Sequence, residues 1–519
     1  MKELETDVVV ISAGTAGLPA ATTAAERGVR VIAFEKKGIT GGTAYAGGQI
    51  CGVGSNIQKR MGIDITPEQI FKLHMDYVHW RADARLVKAF YDESGKSIDW
   101  FEDSGVQCSL LPGPGEYLIT HRAQDWIKII TEKAKALGVQ FMLKTPVKKI
   151  LRENGKIVGV IAQDSSGEEI LARAKAVIVA TGGFGNNPEV IKQYTGFEWG
   201  KDLFSFRIPG ITGDGIRMAW EVGAAPTDMM MQLVFSVPHP YEGAIGVSFE
   251  FGAFAQVSNL MVNIHGERFI NEEVIRDTAF GGNAIARQKG RCAFMIFDED
   301  TKNYYEEEGL EAPMTSGRMG GKKGSGSQSS AISLEEMMKK MKETEAEIRK
   351  IGLGMIFADT LKTEASETFD VLLKKALDKG YQHFFVADSL EDLCQKTGID
   401  LAGLNKTIEE YNAFCESKKD LVFGKKPEYL RPIRKPRFYA ARFFPTAYGT
   451  LGGIKINYRT EVLNEEDEVI PGLYAAGTDA AAIYGDTYTR FLYGNTQGFC
   501  ITSGRIAGKH AAEYVKSSK

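Results

Sequence analysis

Two glycines and a glutamate near the start of the chain have the residue types and spacing that could hold a phosphorylated ligand. Gly14 and Gly17 follow the apolar run Val8–Ile11, and glycines in such a turn let the backbone approach a pyrophosphate. The alanine-rich segment after them is predicted to be a helix whose free N–H groups face the phosphates. Glu35 lies about twenty residues further on, where a carboxylate can accept a hydrogen bond from a ribose hydroxyl. This pattern predicts a dinucleotide site.

The elements that must position these residues are a buried strand, a turn, a helix and a second strand that ends in the acid, all between Asp7 and Glu35. Such a unit predicts an α/β fold with a parallel sheet. Ser12 stands where the first glycine of the G-x-G-x-x-G pattern usually lies. The alternative is an ordinary βαβ unit without a ligand, but strand, turn, helix, strand and acid in register favour a bound dinucleotide.

A glycine-rich loop follows the acid, with glycine pairs at Gly41-Gly42 and Gly47-Gly48. Glycine pairs allow the backbone to lie flat against a second part of a long ligand. A plain surface loop is the alternative, but the position directly after Glu35 favours contact. Further along, residues 176–180 are predicted to form a buried strand that ends in Thr181-Gly182-Gly183, where small residues let a cofactor pass over the carboxyl edge of the sheet.

The remaining pattern predicts amphipathic helices at residues 66–104, 123–137 and 400–415, and strands at 141–150, 158–164 and 169–171 around an Asn154-Gly155 hairpin. A further helix is expected after residue 333, where Ser333 and Glu336 have the spacing of a capping box. Residues 308–330 are rich in Gly, Ser and Lys and are expected to form a surface loop.

Composition excludes several classes of protein. Lys and Arg (63) nearly balance Asp and Glu (67), so no basic surface invites nucleic acid. No apolar run is long enough to span a membrane, and no signal peptide is expected, because the first strand is predicted within a few residues of the N-terminus. The six cysteines lack the spacing of a zinc, iron–sulfur or c-type haem site, so no metal site is expected. Free thiols indicate a reducing, cytoplasmic environment.

Several motifs in this order resemble those of the FAD-dependent fumarate reductase and succinate dehydrogenase flavoproteins, and also those of the related 3-ketosteroid dehydrogenases. The matching segments cover nearly the whole chain: the opening fingerprint, the G-G-T-x-x-x-G-G loop, V-I-V-A-T-G-G-F-G, T-G-D-G at 212–215, G-E-R-F-I-N-E at 266–272 and I-P-G-L-Y-A-A-G at 470–477.

The resemblance implies an α/β fold in which a Rossmann-like FAD-binding domain (residues 1–233 and 449–519) carries an inserted α+β clamp, or capping, domain (residues 234–448). FAD is expected to be non-covalent, because the histidine that attaches it in the membrane-bound relatives is absent at Thr43 and Ala44. The residues expected to bind the cofactor are Ala13, Gly14, Thr15, Ala16, Gly17, Glu35, Lys36, Gly42, Thr43, Gly47, Gly48, Val147, Ala180, Thr181, Gly182, Asp214, Gly477, Asn495, Thr496 and Gln497.

The family signature G-E-R-F-I-N-E-x-x-x-R places its last arginine at Arg276. In the fumarate reductases this arginine donates a proton to the substrate, and the resemblance implies the same role here. Glu250 fits the glutamate that resupplies the proton, with a small gap in the match. The alternative for Arg276 is an ion pair with Asp277 or Glu273 on a helix face.

Two further residues lie in the C-terminal segment Y-G-D-T-Y-T-R-F-L-Y-G-N-T-Q-G. Arg490 matches the arginine that clamps a substrate carboxylate in fumarate reductases. Tyr488 matches a tyrosine that acts as acid or base in ketosteroid dehydrogenases; the alternative is that its ring only covers the flavin. Two histidines of the fumarate reductases are absent, one replaced at Tyr448-Gly449, and His239 is a weak substitute for the other.

The missing histidines argue against fumarate and succinate, and a cluster of aromatic residues favours a ring-bearing substrate: Tyr448, Tyr484, Tyr488, Phe491 and Tyr493. The resemblance implies an oxidoreductase that reduces an activated C=C bond of an enoate or enone by hydride transfer from flavin N5 and protonation by Arg276. The alternatives are a desaturase of a cyclic ketone that uses Tyr488, and a non-catalytic flavin-binding protein. The expected partners are a small-molecule substrate and an electron donor or acceptor that the sequence does not identify.

Overall fold

The structure is a computed structural model that describes residues 2–46, 48–111, 118–205, 208–238, 257–308, 310–311, 318–319, 369–378 and 380–518. Glu250, Gly47, His239 and the helix predicted after residue 333 lie outside the described residues. The chain divides into two compact units. Unit 1 comprises residues 1–196, 208–232 and 449–519, and unit 2 comprises residues 197–207 and 233–448.

A six-stranded sheet forms the centre of unit 1. The buried strands Val8–Ile11 and Val31–Glu35 pair in parallel, as the opening pattern predicts. Ala176–Val179 lies on the other side of Val8–Ile11 and pairs in parallel with Val469–Ala475, close to the C-terminus. The sheet order is Glu461–Leu463, Val469–Ala475, Ala176–Val179, Val8–Ile11, Val31–Glu35, Gln140–Leu143. The carboxyl ends of the parallel strands therefore meet at one edge.

The helix Gly17–Glu26 is buried over nearly its whole length because the last helix, Asn495–Ser517, packs against it. Gly504 and Gly508, four residues apart, allow this packing. A Cβ at Gly504 would lie 2.2 Å from the carbonyl oxygen of Ala16, and one at Gly508 would lie 2.3 Å from that of Ala20. Residues four apart share one helix face, so this pair of glycines brings the two helix backbones into direct contact.

A second sheet of unit 1 contains the predicted hairpin. Val147–Glu153 and Lys156–Gln163 pair around Asn154 and Gly155, both in the left-handed region with φ of 50° and 82°, as a type I′ turn requires. The single strand predicted over residues 141–150 is wrong. Lys144, at φ 53°, breaks it, so that Gln140–Leu143 joins the parallel sheet and Val147–Glu153 joins the hairpin.

Helices at 66–104 and 400–415 are confirmed with local capping. Thr66 begins Pro67–Tyr77 with a capping box, Asp83 caps Ala84–Asp103, and Asp400 caps Leu401–Ser417. The helix predicted at 123–137 spans Trp126–Ala136, since Ala123 ends a strand instead. The other helices are Asn56–Arg60, Pro188–Thr195, Asp214–Glu221, Thr278–Ala286, Glu299–Glu308, Phe369–Asp378 and Leu390–Thr397.

Unit 2 is built on a mainly antiparallel sheet around the strand Phe438–Gly453, whose last five residues belong to unit 1. Ala293–Asp298 and Phe384–Ala387 pair antiparallel with it, and Leu260–Val262 extends the sheet beyond Ala293–Asp298. The alternate buried side chains form apolar layers against helices such as Leu401–Ser417. The remaining strands in the described ranges are Lys2–Glu5, Ile50–Cys51, Cys108–Leu110, Thr120–Ala123, Glu169–Arg173, Phe204–Ser205, Met230–Ser236, Leu310–Glu311, Arg318–Met319 and Ala480–Ala481.

Candidate functional site

The turn after Val8–Ile11 has the backbone that a phosphate cradle needs. Ser12, at the position of the missing first glycine, adopts a left-handed φ of 84°, a conformation that glycine adopts more readily. A Cβ at Gly17 would lie only 1.9 Å from the carbonyl oxygen of Ser12, so this position requires glycine. The helix that begins at Gly17 has no side-chain N-cap, so no side chain occupies the helix start where a phosphate can bind.

Glu35 lies buried against this turn. Its Oε2 accepts hydrogen bonds from the Ser12 hydroxyl and the Ala13 N–H, each at 2.9 Å, and its Oε1 accepts one from the Lys37 N–H at 2.8 Å. Oε1 has a further lone pair, so the carboxylate can also accept from a ribose hydroxyl. The serine at the atypical position therefore fixes the acid.

The glycine-rich loop packs directly on the phosphate turn. A Cβ at Gly42 would lie 3.1 Å from the Cα of Gly14, and the Thr15 and Thr43 hydroxyls are 2.8 Å apart. The residues predicted at 13–17 and at 42–43 thus lie together. Gly48, by contrast, is exposed, and the nearest atom to a Cβ there would be Nε of Arg122 at 3.7 Å. Val147 is buried at the start of its strand.

Two other predicted residues, 178 positions apart, form an ion pair. Lys36 Nζ lies 2.6 Å from Asp214 Oδ2 and 3.3 Å from the Thr212 hydroxyl, which donates to Asp214 Oδ1 at 2.9 Å. Burial opposes ionisation of Asp214, but the hydrogen bond and charge of Lys36 outweigh it and lower the pKa of this carboxyl. Asp214 begins the helix Asp214–Glu221, where a carboxylate also interacts favourably with the helix dipole.

A buried carboxylate that the sequence reading missed organises the other cofactor loops. Asp479 Oδ1 accepts from the Gly183 N–H at 2.8 Å and from the Thr181 hydroxyl at 3.0 Å, and its Oδ2 accepts from the Thr181 N–H. Burial raises the pKa of Asp479 although these donors oppose the shift. Gly477, two residues earlier, has a φ of 68°, and a Cβ there would lie 2.9 Å from that of Ala16. Asp479 therefore holds the ends of two neighbouring strands together.

The N-terminus of the last helix supplies another set of donors. Gly494, at φ 76°, precedes the helix, which has no side-chain cap. Three residues here were predicted to bind the cofactor. Asn495 is buried and hydrogen-bonded to Tyr484 and Tyr91, and the Thr496 hydroxyl lies near Gln232. Gln497 Oε1 is buried without a hydrogen-bond partner in the protein. An unpaired buried acceptor is costly, so this atom fits a ligand that donates a hydrogen bond. The donors and glycine contacts of unit 1 thus fit FAD.

Tyr488 and Arg490 lie in the loop before this helix. Tyr488 is nearly buried, with its hydroxyl 3.4 Å from the Thr496 hydroxyl. The Arg490 guanidinium lies over the ring of Tyr493 at 3.9 Å, an arrangement that stabilises a cation. Tyr484 is fully buried and donates its hydroxyl hydrogen to Asn495 Oδ1 at 2.7 Å. Its hydroxyl is thus engaged within the protein.

In unit 2, the G-E-R-F-I-N-E signature forms a buried ionic cluster. Arg268 donates to both carboxylate oxygens of Glu272, at 3.0 and 2.8 Å, and to both of Asp420, at 3.2 and 2.9 Å. Lys425, also fully buried, lies 3.5 Å from Glu272 and 2.8 Å from the Tyr411 hydroxyl. Burial lowers the pKa of Lys425. The signature therefore anchors the chain just ahead of Arg276.

Arg276 ends the short 3-10 helix Val274–Arg276. Its two alternative partners have other contacts. Glu273 accepts from the backbone N–H of Lys426, and Asp277 accepts from the Ala279 N–H at 3.0 Å as the N-cap of Thr278–Ala286. Within the described ranges, no group of three His, Cys, Asp or Glu side chains could hold a metal ion. The helices in that part of the chain do not include one long and apolar enough to cross a bilayer.

Comparisons with known proteins agree with this geometry. The family model "FAD binding domain" matches residues 7–490. The vinyl phenol reductase of Lactiplantibacillus plantarum is 30% identical over 525 residues, covering 98% of this chain and 97% of the relative. The open conformation of a flavocytochrome c3 fumarate reductase superposes with a TM-score of 0.65 at 26% identity, covering 99% of this chain and 79% of that one.

A 3-ketosteroid Δ4-(5α)-dehydrogenase from Rhodococcus jostii RHA1 superposes with a TM-score of 0.68 at 23% identity, covering 99% of this chain and 98% of that one; at this identity the likeness shows the fold. The family match spans most of the chain, and the first relative is covered almost completely. The chain therefore belongs to the FAD-binding family of flavoproteins that includes the fumarate reductases, and it is an FAD-dependent oxidoreductase.

Proposed function

We propose that the protein reduces a C=C bond conjugated to an electron-withdrawing group or ring, with unit 2 as the capping domain over the substrate. The observation that carries this proposal is the place of the Tyr488 hydroxyl, 3.4 Å from Thr496 at the first turn of the last helix. We expect that helix start to bind the flavin, which would put Tyr488 in the position of a proton donor and Arg490 in that of a substrate-binding arginine. The full-length similarity to a vinyl phenol reductase supports a ring-bearing substrate.

FAD bound non-covalently and reduced by a separate donor would supply the hydride. The chain's own residues then have three tasks. Arg490 would hold the polar group that takes up developing negative charge, because a guanidinium offers several fixed donors. Arg276 would deliver a proton to the carbon next to that group and would be resupplied by Glu250. Tyr488 would orient the substrate ring, or would be the proton donor itself in an enzyme of ketosteroid-dehydrogenase type.

Anaerobic reoxidation of reduced protein tests the proposal. The photoreduced holoprotein is mixed with 4-vinylphenol, cinnamate, fumarate or a 3-ketosteroid that contains a conjugated C=C bond, and flavin absorbance is followed in a single turnover, which isolates the chemical step from the electron donor. We expect aryl alkenes or aryl enoates to reoxidise the flavin faster than fumarate. Reoxidation by none of these compounds would overturn the proposal and favour a binding protein, and fast reoxidation by fumarate would overturn the ring-bearing substrate.

Two variants separate the candidate proton donors. Arg276→Ala should abolish turnover with FAD retained, and Arg276→Lys should restore little because its reach and geometry differ. Tyr488→Phe should cost little if the ring only packs, but about a hundredfold or more if the hydroxyl is the acid. Tyr458→Phe, at an exposed tyrosine of unit 1, is the matched control. An inactive Tyr488→Phe beside an active Arg276→Ala would assign the chemistry to Tyr488.

A further inference from the structure

A chain of hydrogen bonds in unit 1 begins at the fully buried imidazole of His74. Its Nε2 lies 2.6 Å from the carbonyl oxygen of Ile483. A carbonyl only accepts, so Nε2 carries the hydrogen. Burial lowers the pKa of His74 to about 4, so the ring is neutral at pH 7 and Nδ1 keeps a lone pair. Nδ1 lies 2.7 Å from the Tyr91 hydroxyl and must be the acceptor of that hydrogen bond.

The direction set at His74 passes along the next bonds. Because the Tyr91 hydroxyl donates to His74, its oxygen can only accept from Asn495 Nδ2, at 2.8 Å. The other end of that amide, Oδ1, accepts from the Tyr484 hydroxyl at 2.7 Å. Tyr91, Tyr484 and Asn495 are all fully buried, so bulk water does not compete for these bonds. Every hydrogen from Tyr484 to His74 is therefore assigned.

The chain ends at the hydroxyl of Thr496. Tyr484 has given its hydrogen to Asn495, so towards Thr496, at 3.3 Å, it is only an acceptor. The Thr496 hydroxyl also faces Gln232 Oε1 at 3.3 Å and the Tyr488 hydroxyl at 3.4 Å. One hydrogen therefore has three candidate acceptors. If the chain were reversed, Tyr484 would donate to Thr496 and remove itself from this competition, which would change the hydrogen bonding at Tyr488.

We infer that His74 is a positioning residue, which fixes the direction of this hydrogen-bond chain and thereby influences the orientation of the Tyr488 hydroxyl. The consequence for catalysis rests on the proposed function; the orientation itself does not. The chain orients Tyr488 but does not supply its proton, because the side-chain amide of Asn495 interrupts the hydroxyl groups and His74 is neutral. No local pattern predicts this role, because the hydrogen-bond partner Ile483 lies 409 residues from His74 along the chain.

The test uses a reporter that needs no substrate. 3-Fluorotyrosine is placed at position 488 in the FAD-loaded protein, and its ¹⁹F chemical shift is measured in three variants. His74→Leu removes both ring nitrogens, whereas His74→Gln offers an acceptor and a donor on one side chain. His121→Leu is the matched control, because His121 is also fully buried, with a pKa lowered by burial to about 4, but it bonds to Ser55 at 2.9 Å.

We expect His74→Leu to move the ¹⁹F resonance, His74→Gln to return it towards the wild-type position, and His121→Leu to leave it in place. An unchanged resonance in His74→Leu, or an equal shift in His121→Leu, would overturn the inference. If His74→Leu does not fold, as judged by circular dichroism, Tyr91→Phe is the substitute test. This variant removes only the hydroxyl that links His74 to Asn495, and we expect it to move the ¹⁹F resonance in the same way.

Activity gives a second, separate readout. In single-turnover reoxidation, His74→Leu should slow the chemical step tenfold or more in the wild-type background, and should have no further effect in a Tyr488→Phe background. An equal loss in both backgrounds would mean that His74 acts through the fold and would overturn the positioning role. If no alkene reoxidises the flavin, the proposed function fails, while the ¹⁹F result still decides how Tyr488 is oriented.

Discussion

Removing the charge of Glu272 should destabilise unit 2 far more than the same change five residues earlier. In the ionic cluster, two cations (Arg268 and Lys425) balance two anions (Glu272 and Asp420), all nearly or fully buried. Glu272→Gln leaves one excess positive charge in the interior. It also turns an acceptor oxygen into an N–H group that faces the donors of Arg268 or Lys425.

The expected cost follows from these contacts. Losing one charge-assisted hydrogen bond costs about 1.5–3 kcal/mol, and leaving a buried partner unpaired brings the cost to about 3–5 kcal/mol. Lys425 would respond by a further fall of its pKa, which caps the penalty. Glu267→Gln is the matched control on the same segment. Glu267 is exposed and bonds to the Asn263 amide at a long 3.4 Å, so the change should stay within about 0.5 kcal/mol.

Hydrogen exchange followed by mass spectrometry measures the effect where it arises. Peptides that contain Leu260–Val262 report on unit 2 because the Met261 N–H donates to Glu272 at 3.2 Å, and peptides that contain Val8–Ile11 serve as an internal reference in unit 1. A cost of 3 kcal/mol corresponds to exchange about 100-fold faster in the unit 2 peptides. Equal exchange in Glu272→Gln and Glu267→Gln would refute the view that the signature is a structural anchor.

Three further outcomes follow from the geometry of unit 1. Gly17→Ala should destabilise the apoprotein and weaken FAD binding, because the new Cβ would lie 1.9 Å from the Ser12 carbonyl oxygen. Gly14→Ala should weaken FAD binding alone, because its Cβ would make only an ordinary contact at 3.4 Å. Thermal melts of the apoprotein and flavin titration distinguish the two variants. Burial lowers the pKa of His74 in the folded protein to about 4, whereas in the unfolded protein it is about 6.5. As the pH falls from about 6.5 to 4, the imidazole therefore takes up a proton in the unfolded state but not in the folded state. The contribution of His74 to the free energy of unfolding is present above about pH 6.5 and is lost over this range. Between pH 7 and 5 the loss from this residue is about 2 kcal/mol, and denaturant titrations of His74→Gln should show a correspondingly flatter pH dependence. Asp479→Asn should release FAD on gel filtration, since its amide N–H would face backbone N–H groups that now donate to a carboxylate.

Local signals made much of the fold predictable. The strand Val8–Ile11 and the helix after Asp400 were predicted correctly because an apolar run and a capping side chain act within a few residues. The break at Lys144 was missed, since its left-handed φ of 53° is set by the two sheets that its neighbours join. The strand Lys2–Glu5 was missed for a similar reason, as it pairs with Glu169–Arg173 far along the chain.

The candidate site shows the same limit. The phosphate turn and Glu35 could be predicted because strand, helix and acid follow each other in the sequence. Motif resemblance proposed Lys36 and Asp214 separately, and the structure brings them into one ion pair. Asp479 follows a glycine in an ordinary-looking G-T-D segment, and His74 lies on an amphipathic helix; neither position carries a local signal, because both bond to partners hundreds of residues away. The roles proposed for Arg276, Tyr488 and Arg490 stay predictions.

The placement of Asp479 has a consequence for how the protein is made. The Thr181 hydroxyl bonds to a carboxylate 298 residues further along the chain, and one edge of Ala176–Val179 pairs with Val469–Ala475. Neither partner is present until the ribosome has synthesised those later residues. A ribosome that adds about 5–20 residues per second needs about 15–60 s for that interval. Throughout this interval the nascent chain displays an apolar strand with one unpaired edge, the kind of edge that pairs with other chains. Conditions that slow elongation across the middle of the gene should therefore favour aggregation over the yellow, folded product.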